Sequence, residues 1–91
     1  MFNAFTAKVK GRVQGVGFRY FTKNQADTLH LTGWVRNLPD GTVEVLAKGF
    51  GPALEQFMQR LEEGPIGSRV EKVDFQWIQE SQDFKGFEIK G

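Results

Sequence analysis

The 91-residue chain has no cysteine, one histidine, three prolines and no long apolar run, and each shortage removes a class of chemistry. Without thiolates there is no disulfide framework, thiolate zinc site, iron–sulfur cluster or cysteine nucleophile. One imidazole cannot build a histidine-rich metal site, so no metal and no cofactor are expected. The stretch Met1-Phe2-Asn3-Ala4-Phe5-Thr6 has no basic segment followed by an apolar one, and nowhere are there the roughly 18 consecutive apolar residues of a membrane span. A cytoplasmic protein with no membrane partner is therefore expected. An excess of one charge is also missing. Twelve Lys and Arg stand against eleven Asp and Glu, a net charge of +1, which argues against a nucleic-acid partner held by phosphate neutralisation.

What is abundant is aromatic: nine Phe, two Trp and one Tyr. A chain this short buries only about 60% of the surface that its unfolded form exposes, so residues 1–91 are expected to form one domain around a well-filled core. Trp34, Phe57, Phe75, Trp77 and Phe87 are the expected filling. Charge is uneven along the chain. Up to Lys48 there are seven basic residues against three acidic ones, and beyond it five against eight. An anion belongs in the N-terminal half.

Ala7 to Val13 alternates as a half-buried strand, and Gly15-Val16-Gly17 ends it. From Phe18 the period lengthens to that of a helix. Phe18, Phe21, Gln25, Ala26 and Leu29 share one face, and the helix closes near His30 to Gly33. Trp34 to Asn37 reads as a second strand, Leu38-Pro39-Asp40-Gly41 as a turn and Thr42 to Ala47 as a third strand, together a hairpin. Pro52 opens a second helix with Leu54, Phe57, Met58 and Leu61 on its apolar face, and Gly64-Pro65 stops it. Arg69 to Ile78 is a fourth strand, with Val73, Phe75 and Trp77 on one side, and Gly86 to Lys90 a short last one. This βαββαβ order plus a C-terminal strand predicts an α+β ferredoxin-like sandwich, with two helices on one face of a mainly antiparallel sheet.

The stretch Gly11-Arg12-Val13-Gln14-Gly15-Val16-Gly17-Phe18-Arg19 sets a glycine turn between a strand and a helix N-terminus. Backbone N–H groups there can converge on an anion, and glycine allows both positive φ and close approach. A dinucleotide fingerprint would need glycine where Tyr20 stands, and a nucleotide P-loop needs Gly-Lys-Ser/Thr; neither is present. By spacing alone a plain turn is an equal alternative. Arg19 favours the anion: Phe18 faces the core, so Arg19 projects about 100° away from it. Its planar fork suits two phosphate oxygens, and beside the positive end of a helix a lone cation is poorly placed without an anion.

This segment, continued by Tyr20-Phe21, Gly33-Trp34-Val35-Arg36-Asn37 and Asp40-Gly41-Thr42-Val43-Glu44, strongly resembles the acylphosphatase family from about Ala7 to Lys90, in its bacterial-type, stand-alone form. Gly17 stands where some vertebrate members carry cysteine. The resemblance implies hydrolysis of a small acyl phosphate to a carboxylate and inorganic phosphate, the latter also a competitive inhibitor, by a metal-independent monomer. It implies that Gln14, Gly15, Val16, Gly17, Phe18 and Arg19 cradle the phosphoryl group and that Asn37 positions the attacking water. An amide side chain suits that role, having donors, an acceptor and no useful pKa. A strand-closing Asn is the alternative reading of Asn37 from the residues alone.

His30 is the competing general base, but it falls at the far end of the first helix, about 17 Å from Arg19 at 1.5 Å per residue. Glu62 and Glu63 read as a solvated helix end. Lys48-Gly49-Phe50-Gly51 reproduces the opening of an RNA-recognition signature, but Pro52-Ala53-Leu54 then starts a helix where that signature needs strand residues.

Overall fold

The computed structural model describes residues 3–91; Met1 and Phe2, read above within the N-terminal stretch and the single domain, lie outside them. Seven elements follow in the expected order: β1 (Ala4–Arg12), α1 (Phe18–Thr28), β2 (Thr32–Asn37), β3 (Val43–Lys48), α2 (Gly51–Glu63), β4 (Arg69–Ile78) and β5 (Phe87–Lys90). The strands form one sheet in the order β4-β1-β3-β2-β5. All pairings are antiparallel except β2 with β5. No helix among the described residues is long and apolar enough to cross a membrane.

The period-two pattern makes one sheet face apolar. Phe5, Ala7 and Val9 of β1 lie opposite Ala47, Val45 and Val43 of β3, and all six are buried. Leu54, Phe57 and Leu61 of α2 and Phe18 and Ala26 of α1 close over that face. The innermost row of α1 is Phe18, Thr22 and Ala26, whereas Phe21, Gln25 and Leu29 of the expected face sit half-buried on its flank. A buried threonine is tolerated because its hydroxyl donates to the Phe18 carbonyl at 2.8 Å.

Two strands start earlier than the alternation suggests. Ala4 to Thr6 are held as strand between Leu46–Lys48 and Gln76–Ile78, a tertiary effect that local pattern does not carry. β2 starts at Thr32 because Gly33 lets it approach β3. Gly33 has φ +137°, and a Cβ there would run into the Leu46 carbonyl oxygen.

The aromatic filling is also only partly as expected. Phe57 and Phe87 are buried, with rings 5.9 Å apart and nearly perpendicular. Phe75 and Trp77 meet Phe5 edge-on at 5.4 and 5.8 Å, but they sit on an edge strand and Trp77 stays 38% exposed. Trp34 is not in the core. Alternation in β2 gives Gly33 and Val35 to the helix side, so Trp34 lies on the opposite face, where the Arg36 and Lys90 cations cover its ring at 5.1 and 4.9 Å.

Topology places the site. β1 and β2 both run antiparallel to β3, and β5 runs parallel to β2. The C-terminal ends of all three strands therefore emerge at one end of the sheet.

Candidate active site

At that end, β1 passes into α1 through the glycine turn. Gly15 and Gly17 have φ +75° and +76°, and apart from the adjoining backbone no protein atom lies within 4 Å of where a Cβ on either would stand. These glycines serve backbone conformation, since left-handed φ costs other residues about 1–2 kcal/mol. Gly17 is the N-cap of α1 and supplies no side-chain cap, and the first turn holds no acidic residue. The unbonded amides and positive dipole end of the helix are thus left for an external anion.

Phe18 is buried and pins the start of α1 to the core. Arg19, next in the chain, is half-buried, and its Nη1 donates to the Lys90 carbonyl on β5 at 3.4 Å. Across from it, Asn37 ends β2. Its Oδ1 is buried and has no hydrogen-bond partner, a costly state for a polar atom without a ligand or water. A pocket of about 140 Å³ brings Gly15, Gly17, Phe18, Arg19 and Asn37 together. It is completed by buried Val13 and by Tyr20, which is 70% exposed; the sequence reading assigned neither. Tyr20 follows the arginine and faces outward on the same helical turn, which was the one available signal for it.

Two residues of the expected cradle do not line this pocket. Val16 is half-buried and packs against the core. Gln14 turns its side chain to the β2–β3 turn, where Nε2 donates to the carbonyls of Leu38 and Thr42 at 2.8 Å each. Its side-chain nitrogen is thereby taken up by the turn.

The turn itself is fastened by Asp40. Its Oδ1 accepts from the Thr42 N–H at 3.0 Å and from the Thr42 hydroxyl at 2.5 Å, and its Oδ2 lies 3.1 Å from Lys8 Nζ. The Thr42 hydroxyl and amide, then Lys8, lower its pKa from 3.8 to about 2.

The other candidates lie elsewhere. His30 follows α1 at its C-terminal end with φ +57°, and Glu62 and Glu63 are exposed at the end of α2. Lys48 closes β3 and Gly51 opens α2, so Lys48-Gly49-Phe50-Gly51 spans a strand-to-helix junction. No group of three or more His, Cys, Asp or Glu that could hold a metal ion occurs among the described residues. A larger hollow of about 190 Å³ on the open sheet face is lined by Lys8, Glu44 and Asp74 among others. Those charges are matched internally: Lys8 with Asp40, Glu44 with Arg36, and Asp74 with Lys10 and Lys72.

Comparison with known proteins bears on the family and the fold. The acylphosphatase family profile matches residues 5–89. An acylphosphatase of Thermus thermophilus is 52% identical over 83 residues, 91% of this chain and 93% of that protein. The crystal structure of acylphosphatase from Bacillus subtilis superposes with a TM-score of 0.94 at 39% identity, covering 97% of this chain and 98% of that one. Full-length HypF, in its phosphate- and nucleotide-bound form, contains a similar unit: TM-score 0.87 at 26% identity over 100% of this chain but 12% of its own length. With the family profile spanning nearly every residue and half the positions identical to a relative of the same size, this chain belongs to the acylphosphatase family.

Proposed function

We propose that this chain, acting as a single domain, hydrolyses small acyl phosphates to a carboxylate and inorganic phosphate. The observation that carries the reading is the convergence in one pocket of a left-handed glycine loop, Arg19 and an unpartnered Asn37 Oδ1. The loop amides and the Arg19 guanidinium hold the phosphoryl oxygens, which brings charge-assisted, bidentate geometry to a dianion. Asn37 Oδ1 accepts a hydrogen bond from the attacking water and aims it in line with the acyl oxygen.

In the reaction the water oxygen forms a bond to phosphorus as the bond from phosphorus to the acyl oxygen breaks, its electron pair leaving on the carboxylate. The water's proton passes to a phosphoryl oxygen. A carboxylate departs unprotonated, so no general acid is needed, and a loose phosphoryl-transfer transition state asks little of a base. What the protein must supply is positioning and preorganised charge, and the reaction proceeds without a metal ion. Inorganic phosphate, keeping the oxygens that the cradle binds, inhibits competitively.

The test is turnover of benzoyl phosphate by the wild type and Arg19→Ala, each with and without EDTA. Activity indifferent to EDTA, and loss of both turnover and phosphate inhibition in Arg19→Ala, are expected. Tight phosphate inhibition persisting in that variant would remove Arg19 from the cradle, and inactivation by EDTA would refute metal-free chemistry.

A further inference from the structure

We propose that Gln14 is a positioning residue for Asn37: its side-chain amide ties the glycine loop to the β2–β3 turn and thereby fixes where the water-holding oxygen stands. The inference rests on the water-positioning role of Asn37 given above and extends it to a residue whose side chain does not reach the pocket.

The two halves of the pocket have no direct ladder between them. The loop follows β1 and Asn37 ends β2, and β3 lies between those strands in the sheet. The span is made by Gln14, whose Nε2 donates to Leu38 O and to Thr42 O at 2.8 Å each, 24 and 28 residues away. Among the described residues no other hydrogen bond joins loop 13–17 to turn 38–42. The Asp40 contacts are internal to the turn or reach β1 through Lys8.

The residue type matches the task. A primary amide nitrogen carries two N–H donors, and here each has one carbonyl. Because carbonyls only accept, the nitrogen and not the oxygen of the amide must face them. Each carbonyl already takes one backbone donor, Leu38 O from Gly41 N–H at 3.1 Å and Thr42 O from Leu38 N–H at 2.9 Å, so Gln14 fills the second lone pair of both. Glutamate would set a carboxylate against two carbonyls, and asparagine is one methylene short.

Leu38 is bonded to Asn37, and Asn37 Oδ1 has no protein partner of its own. Its position relative to the phosphoryl group therefore follows the backbone that Gln14 anchors. A displacement near 1 Å at a water-positioning group costs up to about 100-fold in rate.

The experiment measures kcat and KM for benzoyl phosphate and the inhibition constant of inorganic phosphate, in the full chain, for Gln14→Met, Asn37→Ala and the double variant. The expected result is a kcat roughly 10- to 100-fold lower in Gln14→Met with the phosphate inhibition constant held within about twofold, and no further loss of kcat when Gln14→Met is added to Asn37→Ala. Loss of kcat and phosphate affinity in equal measure, or effects that multiply in the double variant, would overturn the proposal while leaving the role of Asn37 intact. An unchanged kcat in Asn37→Ala alone would instead refute the water-positioning role, and the proposal with it. Should Gln14→Met fold poorly, amide exchange in the wild type decides: both Gln14 side-chain protons should exchange slowly, and rapid exchange of either overturns the tie.

Discussion

Replacing Asn37 by alanine should abolish most turnover and leave the protein as stable as the wild type or more so. Asn37 Oδ1 is buried without a partner, and an unsatisfied polar atom of that kind costs about 1–3 kcal/mol. Truncation removes that cost and loses the packing of a half-buried carboxamide, about 1 kcal/mol. The balance is close to 1 kcal/mol in favour of the variant, which for a domain of this size raises Tm by about 4–8 °C. Turnover moves the other way. Loss of one preorganised polar group at a reacting centre lowers kcat by about 10² to 10³. The assay pairs thermal melts followed by circular dichroism with benzoyl phosphate turnover at saturation. The melts are run in phosphate-free buffer, because a ligand that binds only the folded state raises apparent stability by RT ln(1 + [L]/Kd). Adding phosphate should then raise the Tm of Asn37→Ala and of the wild type alike, since the loop and Arg19 of the proposed cradle are present in both. A variant destabilised by more than about 1 kcal/mol would show instead that the amide is a structural group whose acceptor is satisfied in solution.

Three other substitutions or conditions test separate links. Arg19→Lys keeps the charge and loses the planar pair of donors, so calorimetry should find phosphate binding weaker by about 10- to 100-fold, one charge-assisted hydrogen bond; unchanged affinity would mean that only charge matters there. Gly33→Ala would force a side chain against the Leu46 carbonyl oxygen at φ +137°. Strain of that kind, with the clash, removes a large share of the roughly 5–15 kcal/mol that holds such a domain, and a melt like that of the wild type would contradict the register of β2 on β3. Folding lowers the Asp40 pKa from 3.8 to about 2, so its contribution to the turn is complete above 3.8 and is lost as pH falls toward 2. The Thr42 amide resonance should shift through that window, and Asp40→Asn should remove the shift.

The order of elements was legible because periodicity is local. Alternation over Ala7 to Val13, the helical row from Phe18 and the Pro-Asp-Gly turn each carry their own signal. What was not legible depends on neighbours. Ala4 to Thr6 become strand only by pairing on both sides, and Trp34, the kind of residue that fills cores, is sent to the open face because Gly33 and Val35 take the inner one. The same division runs through the site. Gly15, Gly17 and Arg19 stand out as candidates because a strand, a glycine turn and a helix start are contiguous, although the spacing alone suits a plain turn equally well and it is the arginine at the helix start that favours an anion. The use made of Gln14 does not stand out, because its partners are main-chain carbonyls that leave no mark in the sequence.

Sheet order explains why residues so far apart in the chain can form one site. β1, β2 and β5 point the same way, and their C-terminal ends deliver the glycine loop, Asn37 and the Lys90 carbonyl. The third of these meets Arg19 at 3.4 Å in an exposed hydrogen bond, a weak hold on a cation beside the positive end of α1, where no acidic residue stands in the first turn. Placing a guanidinium there costs folding energy when the pocket is empty, and a phosphoryl dianion bound as proposed would reverse the sign of that term by meeting the arginine and the helix amides together. On the proposed function the nearly neutral chain therefore needs no broad positive surface: one arginine, held against its helix dipole by the fold, would concentrate the attraction that a phosphoryl group meets.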